Sequence, residues 1–189
     1  MVSSTAPADA LALFSAPVGE WFRTSFGAPT DAQAEGWPAI AAGEHTLILA
    51  PTGSGKTLTA FLWGIDSLMA RPNQAKGTRI VYISPLRALA VDVDKNLRSP
   101  LKGIRLAAER LNAGGSGGPV LQEPTVALRT GDTSPDERRK LQRNPPDILI
   151  TTPESLYLML TSAVRETLVD VEAVIIDEIH AVAATKRGS

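Results

Sequence analysis

Of the 189 residues, 43% are apolar and 21% charged, and the net charge at pH 7 is −1, a composition typical of a globular domain. This balance argues against a protein that coats nucleic acid through an overall positive field, so a nucleic-acid site must be a local concentration of basic side chains and backbone amides. The absence of cysteine excludes disulfides and thiolate zinc sites. The sequence shows no signal peptide and no long apolar run, so we expect a cytoplasmic protein that does not span a membrane.

Short apolar segments alternate with helical patterns along the chain. We expect residues 1–20 to form an N-terminal tail and lead-in helix, and residues 21–189 to form one domain. The predicted strands, each rich in aliphatic residues, are Thr46–Ala50, Arg79–Ser84, Thr125–Arg129, Asp147–Thr151 and Ala173–Asp177. Near-continuous apolar strands separated by amphipathic helices indicate a parallel sheet covered on both faces. The predicted fold is therefore a three-layer α/β domain.

Apolar spacing predicts two of the helices. Residues 58–69 and residues 86–97 each place apolar side chains at i, i+3, i+4 and i+7, which is typical of a helix with one buried face. Residues 112–119, by contrast, are too rich in glycine to hold regular structure. We predict that they form a flexible surface loop within the domain.

Residues Ala50–Thr57 have the pattern of a phosphate-binding loop between a predicted strand and a predicted helix, although the first glycine of the usual pattern is Ala50 here. Glycines at positions 53 and 55 allow the backbone to turn so that several N–H groups point at one anion, and the helix dipole adds positive potential. Lys56 is then placed for the β- and γ-phosphates of a nucleotide, and the Thr57 hydroxyl for magnesium. The structural alternative is a Gly/Ser turn with a surface lysine, which the strand and helix context disfavours.

A second candidate site follows the last predicted strand, where Asp177 and Glu178 are adjacent. The carboxyl ends of parallel strands lie at one edge of a sheet, so we expect these carboxylates at the same edge as the phosphate-binding loop. Asp177 is placed to hold magnesium, and Glu178 to orient or deprotonate the water that attacks the γ-phosphate. The structural alternative is an acidic pair that only ends a strand. His180 fits either a coupling role or a hydrogen-bonded core position.

Three helix starts share one pattern, in which a hydroxyl residue precedes a proline: Ser84–Pro85, Ser134–Pro135 and Thr152–Pro153. The first and third directly follow predicted strands, so the N–H groups at these helix starts point out of the carboxyl edge of the sheet. Such groups can bind the phosphates of a nucleic-acid backbone without reading its sequence, and Arg87 and Arg129 add positive charge nearby. Ordinary helix capping explains the same pattern without a ligand.

Gln33 also has two interpretations. Thr30–Gln33 forms a capping box, which accounts for the glutamine structurally. The same side chain can instead hydrogen-bond the edge of an adenine that packs against an aromatic residue such as Phe26. The residues alone favour the structural role.

Six segments occur in the order of the motifs of superfamily 2 helicases: Pro29–Gln33, Ala50–Thr57, Ser84–Ala90, Arg129–Thr133, Thr151–Ser155 and Asp177–His180. The sequence around these motifs resembles the Lhr-like (large helicase-related) branch. The segments that carry this similarity are Val91–Leu97, Glu137–Lys140, Pro145–Ile148 and Ala181–Gly188. The resemblance extends from about residue 21 to residue 189, and it implies the first RecA-like, ATP-binding domain of a helicase.

The resemblance also implies functional residues. The nucleotide-binding residues that it indicates are Gln33, Ala50, Pro51, Thr52, Gly53, Ser54, Gly55, Lys56, Thr57, Asp177, Glu178 and His180. Among them Lys56 and Glu178 are expected to be catalytic, Thr57 and Asp177 to bind Mg²⁺, and Gln33 to contact the adenine of ATP. The residues implied to contact a nucleic-acid backbone are Pro85, Arg87, Arg129, Gly131, Thr152 and Pro153. Family members move 3′ to 5′ on single-stranded DNA, unwind DNA and DNA–RNA duplexes, and in bacteria are associated with DNA repair.

In the family, a Ser-Ala-Thr motif, a second RecA-like domain with an arginine finger, and a winged-helix region follow the segment seen here. The strand of the Ser-Ala-Thr motif lies between the strands that end at Ala50 and Asp177. We therefore expect an N-terminal fragment whose sheet is incomplete at the C-terminus and which is nearly inactive alone. The alternatives are a catalytically silent ATP-binding or interaction module, a GTPase or small-molecule kinase, and an Asp-Glu-Ala-Asp RNA helicase. No Asn-Lys-x-Asp guanine motif is present, and Ile179 and His180 depart from Asp-Glu-Ala-Asp.

Overall fold

The structure, a computed structural model, describes residues 10–51, 53–71, 77–113 and 121–183. The expectations for the tail at residues 1–9, for Thr52 and for residues 114–119 of the glycine-rich segment lie outside this part of the chain. Contacts divide the chain into two units, Met1–Pro72 with Pro100–Glu123, and Asn73–Ser99 with Pro124–Ser189. Each unit is described separately.

The regular secondary structure of the first unit, within its described residues, is helical. After a 3₁₀ turn at Leu11–Leu13, its helices are α1 (Ala16–Phe26), α2 (Asp31–Ala41), α3 (Lys56–Met69) and the second half of α4 (Arg87–Ala113). Helix α1 continues without a break across residues 20 and 21, where the sequence predicts the boundary between the lead-in segment and the domain. Helix α4 includes the first two residues of the predicted glycine-rich loop, Asn112 and Ala113, so that part of the loop prediction is wrong. Both residues are helix-compatible, and the glycines begin only after them.

Aromatic side chains form the core beside α2 and α3. The ring of Trp37 meets Phe14 edge to face with centroids 4.8 Å apart, and Phe22 with centroids 5.4 Å apart. Trp37 and Phe22 are fully buried, and the Trp37 indole N–H donates to the carbonyl of Thr59 on α3 (3.2 Å). This packing joins α2 to the helix that begins at Lys56.

The second unit contains a four-stranded parallel sheet. Its strands are β1 (Ile80–Ile83), β2 (Val126–Arg129), β3 (Ile148–Thr151) and β4 (Ala173–Ile176), in the order β2-β3-β1-β4. The inner strands β1 and β3 are buried at every position, as their continuous apolar sequences require. The other helices of this unit are the first half of α4, α5 (Pro135–Arg143), α6 (Pro153–Leu160) and α7 (Ile179–Ala183), with a 3₁₀ helix at Ala163–Leu168. The predicted α/β class with a parallel sheet is confirmed.

The strand register places the carboxyl ends of all four strands level. Ile83 on β1 pairs with Thr151 on β3 and with Ile176 on β4, and Thr151 pairs with Arg129 on β2. Each strand therefore delivers the residues that follow it to one edge of the sheet. Four of the predicted motifs begin at this edge.

The strand predicted at Thr46–Ala50 is wrong for this structure, because these residues have no regular secondary structure. Leu47 and Leu49 are 67% and 83% exposed. The Ile48 side chain, by contrast, lies 3.5 Å from the position that a Cβ on residue 36 of α2 would occupy. Aliphatic residues form a strand only where a neighbouring strand pairs with their backbone groups. Within the described ranges no strand pairs with these residues.

The cap predicted at Ser84–Pro85 is also wrong. Helix α4 begins at Arg87, and the Ser84 hydroxyl donates to the Leu86 carbonyl (3.1 Å) instead of accepting a helix amide. A short turn therefore separates β1 from α4. In the regions that the structure covers, no helix is both long and apolar enough to cross a bilayer.

Candidate nucleotide and nucleic-acid sites

The phosphate-binding loop lies in the helical unit and leads into α3. Gly53 (φ 84°) and Gly55 (φ 81°) adopt the left-handed conformation that glycine permits at little cost. The Lys56 ammonium donates to the carbonyls of Ala50 (2.5 Å) and Pro51 (2.9 Å). The two glycines therefore turn the backbone as predicted, and the Lys56 ammonium folds back onto the carbonyls that precede this turn.

The features of this turn fit a bound phosphate. The first amides of α3, from Lys56 onward, have no intrahelical acceptor, because the first helical bond runs from Thr59 N–H to the Gly55 carbonyl. The Ser54 hydroxyl oxygen is buried, with no hydrogen-bond partner among the described residues. Unpaired donors at a positive helix end are the groups that phosphate oxygens satisfy. Thr57, predicted to bind magnesium, is exposed at the second position of α3.

Gln33 and the phosphate-binding loop are in direct contact. Gln33 is 4% exposed, and its side-chain carbonyl accepts the Thr30 N–H (2.9 Å), which confirms the predicted capping box. Its amide nitrogen lies 2.6 Å from the position that a Cβ on residue 55 would occupy. The Thr30 hydroxyl donates to the Ser54 carbonyl (2.8 Å). The capping box predicted for Gln33 is therefore present, and the residue also packs on the loop.

Asp177 follows β4 at the carboxyl edge of the sheet in the second unit. Its N–H donates to the Ile83 carbonyl (3.0 Å), one carboxylate oxygen accepts the Glu178 N–H (3.0 Å), and the other accepts the Tyr82 hydroxyl. Burial is the main reason that the pKa of Tyr82 is raised, and the hydrogen bond to Asp177 raises it further. Tyr82 therefore remains protonated and donates to the carboxylate.

Glu178 has an unusual backbone conformation. Its φ of 49° lies in the left-handed region, and the described residues include no other non-glycine with positive φ. Such strain persists where the surroundings enforce it, and it occurs often at functional sites. The side chain is 45% exposed and lies 3.4 Å from Nδ1 of His180, which is 79% exposed. The alternative that His180 occupies a core position is therefore wrong.

The nucleic-acid candidates on β1 and β2 lie in the turns that follow these strands. Arg87 is the first residue of α4, and its side chain, 61% exposed, forms an ion pair with Asp132. Pro85 precedes it and is buried. Gly131 has open space around its Cα, and its carbonyl accepts a hydrogen bond from Arg138 (2.6 Å). The edge thus brings Arg87 next to the turn that follows β2.

Arg129 differs from Arg87 in its accessibility. It is 7% exposed at the end of β2, and its Nε has no hydrogen-bond partner in the described part of the chain. Burial, and then the charge of Arg138, lower the pKa of the Arg129 guanidinium. Arg129 is therefore less accessible to a phosphate than Arg87.

Two of the predicted helix starts are present. Ser134 and Glu137 form the complete capping box of α5, and the Thr152 hydroxyl accepts the Ser155 N–H (3.4 Å) at the start of α6, where Pro153 is the first residue. Thr152 is 7% exposed. The amide groups at the start of α6 therefore lie at the same sheet edge as Arg87 and Asp177.

Sequence reasoning missed two residues of this edge. Tyr82 lies inside an apolar strand and gives no local signal of its bond to Asp177. Asp132 belongs to a segment that the resemblance includes, but its pairing with Arg87 joins residues 45 positions apart. Neither contact follows from local spacing.

Comparison with known proteins finds similarity to helicases at the level of family, sequence and structure. The DEAD/DEAH box helicase model matches residues 30–189. The Lhr helicase/probable uracil glycosylase of Mycolicibacterium smegmatis is 58% identical over 187 residues, which cover 98% of this chain and 12% of that protein. The Lhr helicase/uracil glycosylase of Escherichia coli is 53% identical over 184 residues, which cover 94% of this chain and 12% of that protein. The structure of Mycobacterium smegmatis helicase Lhr bound to ssDNA and AMP-PNP has a TM-score of 0.86 at 60% identity and covers 95% of this chain and 22% of that chain.

This chain thus spans about one eighth of the length of the two curated relatives. The structural match confirms the predicted RecA-like class of P-loop NTPase domain. The matches to Lhr helicases confirm the resemblance drawn from the motifs. The chain belongs to the DEAD/DEAH box helicase family, and within it resembles the Lhr-type helicases.

Proposed function

We propose that this chain is the ATP-binding part of a helicase motor that moves along single-stranded DNA. The observation that carries the proposal is the phosphate-binding loop of Gly53–Lys56, with its left-handed glycines, unpaired helix amides and turned-in lysine. The similar helicase Lhr of Mycobacterium smegmatis, bound to ssDNA and AMP-PNP, supports the choice of ligands.

The residues of the loop and of the sheet edge have separate roles. Lys56 and the backbone N–H groups of Gly53–Thr57 bind the β- and γ-phosphates, and Gln33 contacts the adenine. Thr57 and Asp177 hold magnesium. Bound Mg-ATP supplies the phosphoanhydride whose hydrolysis drives movement. A carboxylate oxygen of Glu178 orients the attacking water and accepts its proton, and the exposed His180 beside it couples this site to other parts of the motor.

The nucleic-acid backbone binds along the carboxyl edge of β1, β2 and β3. Support comes from the exposed guanidinium of Arg87 and from the amide groups at the start of α6, after Thr152 and Pro153. Such contacts bind phosphates without reading bases. Pro85 also contacts the backbone in this proposal, and Arg129 and Gly131 are further candidates for such contacts. In the whole protein, we propose that the motor moves 3′ to 5′ and unwinds DNA or DNA–RNA duplexes in DNA repair. We also propose that a second RecA-like domain and a winged-helix region belong to the same polypeptide.

The competing function is a silent ATP-binding or interaction module. We expect the whole protein to hydrolyse ATP faster when single-stranded DNA is present, and residues 1–189 alone to hydrolyse it slowly. An arginine finger, which family motors supply from their second domain, is worth about 10³–10⁵ in rate. Steady-state hydrolysis measured on both forms, with and without DNA, tests this. A whole protein that binds ATP but shows no DNA-stimulated turnover would support the silent module.

Arg87→Ala is expected to weaken binding of single-stranded DNA and to reduce the slope of log affinity against log salt by about 0.7, the value for one phosphate contact on a single strand. Fluorescence anisotropy of a labelled oligonucleotide across a salt series measures both effects. Arg98→Ala is the matched control, because Arg98 lies on the same helix, is exposed and pairs with Asp94.

The pair with Asp132 gives the same experiment a second arm. Asp132→Asn removes the carboxylate that Arg87 contacts and one negative charge from the edge, so it is expected to strengthen DNA binding. If Arg87→Ala and Arg98→Ala show the same salt slope as the unchanged protein, Arg87 does not contact the backbone.

A further inference from the structure

Tyr82 is the one polar residue of β1, whose other residues are Ile80, Val81 and Ile83. The strand lies between β3 and β4, and Tyr82 is 1% exposed. Burying a phenol hydroxyl is unfavourable unless it finds a hydrogen-bond partner. The partner here is a carboxylate oxygen of Asp177, 95 residues further along the chain.

Asp177 is held at three of its atoms. The Tyr82 hydroxyl donates to Oδ2, the Glu178 N–H donates to Oδ1 (3.0 Å), and the Asp177 N–H donates to the Ile83 carbonyl (3.0 Å). Two of these three contacts come from adjacent residues of β1. Both carboxylate oxygens are therefore oriented, and one of them depends on a single side chain.

A phenylalanine would fill the same apolar site without any polar group to satisfy. What the hydroxyl adds, compared with phenylalanine, is therefore the hydrogen bond that it donates to Asp177. A carboxylate that binds a cation through one face gains affinity when a donor fixes the orientation of that group. The Tyr82 hydroxyl is in the position to do this.

We propose that Tyr82 is a positioning residue for the metal site, in which its hydroxyl orients the Asp177 carboxylate and thereby raises the affinity for a divalent cation. This inference rests on the proposed function, in which Asp177 holds the metal of the bound nucleotide. Tyr82 itself does not touch substrate or metal. It acts through Asp177.

The test uses the whole protein with AMP-PNP and Mn²⁺, whose free concentration is followed by electron paramagnetic resonance. Tyr82→Phe is expected to weaken Mn²⁺ binding about tenfold, since loss of a partner behind a metal ligand typically costs 10–100-fold. Binding of AMP-PNP without metal is expected to be unchanged, because Phe keeps the ring that packs in the sheet. The chain has two tyrosines, and Tyr157→Phe, which removes an equivalent hydroxyl from an exposed site on α6, is the matched control.

Three outcomes overturn the inference. In the first, Tyr82→Phe binds Mn²⁺ as tightly as the unchanged protein. In the second, it loses metal-free AMP-PNP binding in the same proportion, which would reveal a structural role. In the third, it unfolds at the assay temperature, which thermal denaturation would show.

A double substitution separates this inference from the proposed function. If Tyr82 acts through Asp177, adding Tyr82→Phe to Asp177→Asn causes no further loss of Mn²⁺ affinity. A further loss of the full size contradicts the inference. If Asp177→Asn alone leaves Mn²⁺ binding intact, the assignment of the metal to Asp177 fails, and that result concerns the proposed function.

Discussion

Glu178→Gln is expected to lower kcat for ATP hydrolysis by about 10²–10⁴ in the whole protein, while nucleotide affinity stays close to that of the unchanged protein. Glutamine has nearly the same shape as glutamate but cannot accept the proton of the attacking water. The side chain lies at the carboxyl edge of the sheet, is 45% exposed, and has its backbone in the left-handed region. The Glu178 carboxylate is therefore accessible to water, while the backbone that carries it has a fixed conformation.

Single-turnover hydrolysis and equilibrium binding of a fluorescent ATP analogue measure the two quantities separately. The control is Glu172→Gln, which makes the same change just before β4, where Glu172 pairs with Arg79 at the opposite end of the strand. We expect that control to hydrolyse ATP normally. A Glu178→Gln protein that turns over ATP as fast as the control would remove Glu178 from the reaction.

Lys56→Ala is expected to weaken ATP binding by at least tenfold, since a hydrogen bond to a charged group is worth about 1.5–3 kcal/mol. The ammonium now bonds to the carbonyls of Ala50 and Pro51. Nucleotide phosphates offer it stronger acceptors, because they carry negative charge. The alanine variant therefore loses both a phosphate contact and the hydrogen bonds from Lys56 to the loop carbonyls.

Isothermal titration with ATP and magnesium measures the nucleotide affinity. Thermal unfolding without nucleotide measures how much the hydrogen bonds from Lys56 to the loop carbonyls stabilise the fold. Lys102→Ala is the control, because Lys102 is an exposed lysine of α4 in the same unit and its loss changes the net charge equally. Equal losses of affinity in Lys56→Ala and Glu178→Gln would contradict the separate roles of binding and turnover.

Signals within a few residues predicted much of the structure. The capping boxes at Thr30 and Ser134 depend on contacts between residues three apart, so their sequences are sufficient to identify them. The inner strands β1 and β3 are apolar throughout, and their burial on both faces requires that composition. The turn at Gly53–Lys56 depends on glycine at two positions, which the sequence also displays.

Long-range contacts account for what local patterns missed. Leu47 and Leu49 have the composition of a strand, but the formation of a strand depends on a neighbour that no local pattern specifies. The bond from Tyr82 to Asp177 and the pair of Arg87 with Asp132 join residues that are distant in the chain. The start of α4 was misplaced because the Ser84 hydroxyl bonds to the Leu86 carbonyl in a turn, a choice that the Ser-Pro pattern does not reveal.

The packing of Gln33 on Gly55 links two motifs that are usually considered one at a time. A side chain added at position 55 would collide with the Gln33 amide, so the residues tolerated at one position depend on the residue at the other. Gln33→Ala would disturb the phosphate turn as well as any contact with the base. Recognition of the base is therefore better measured by comparing the affinities of the unchanged protein for ATP and for GTP, with Gln33 left in place.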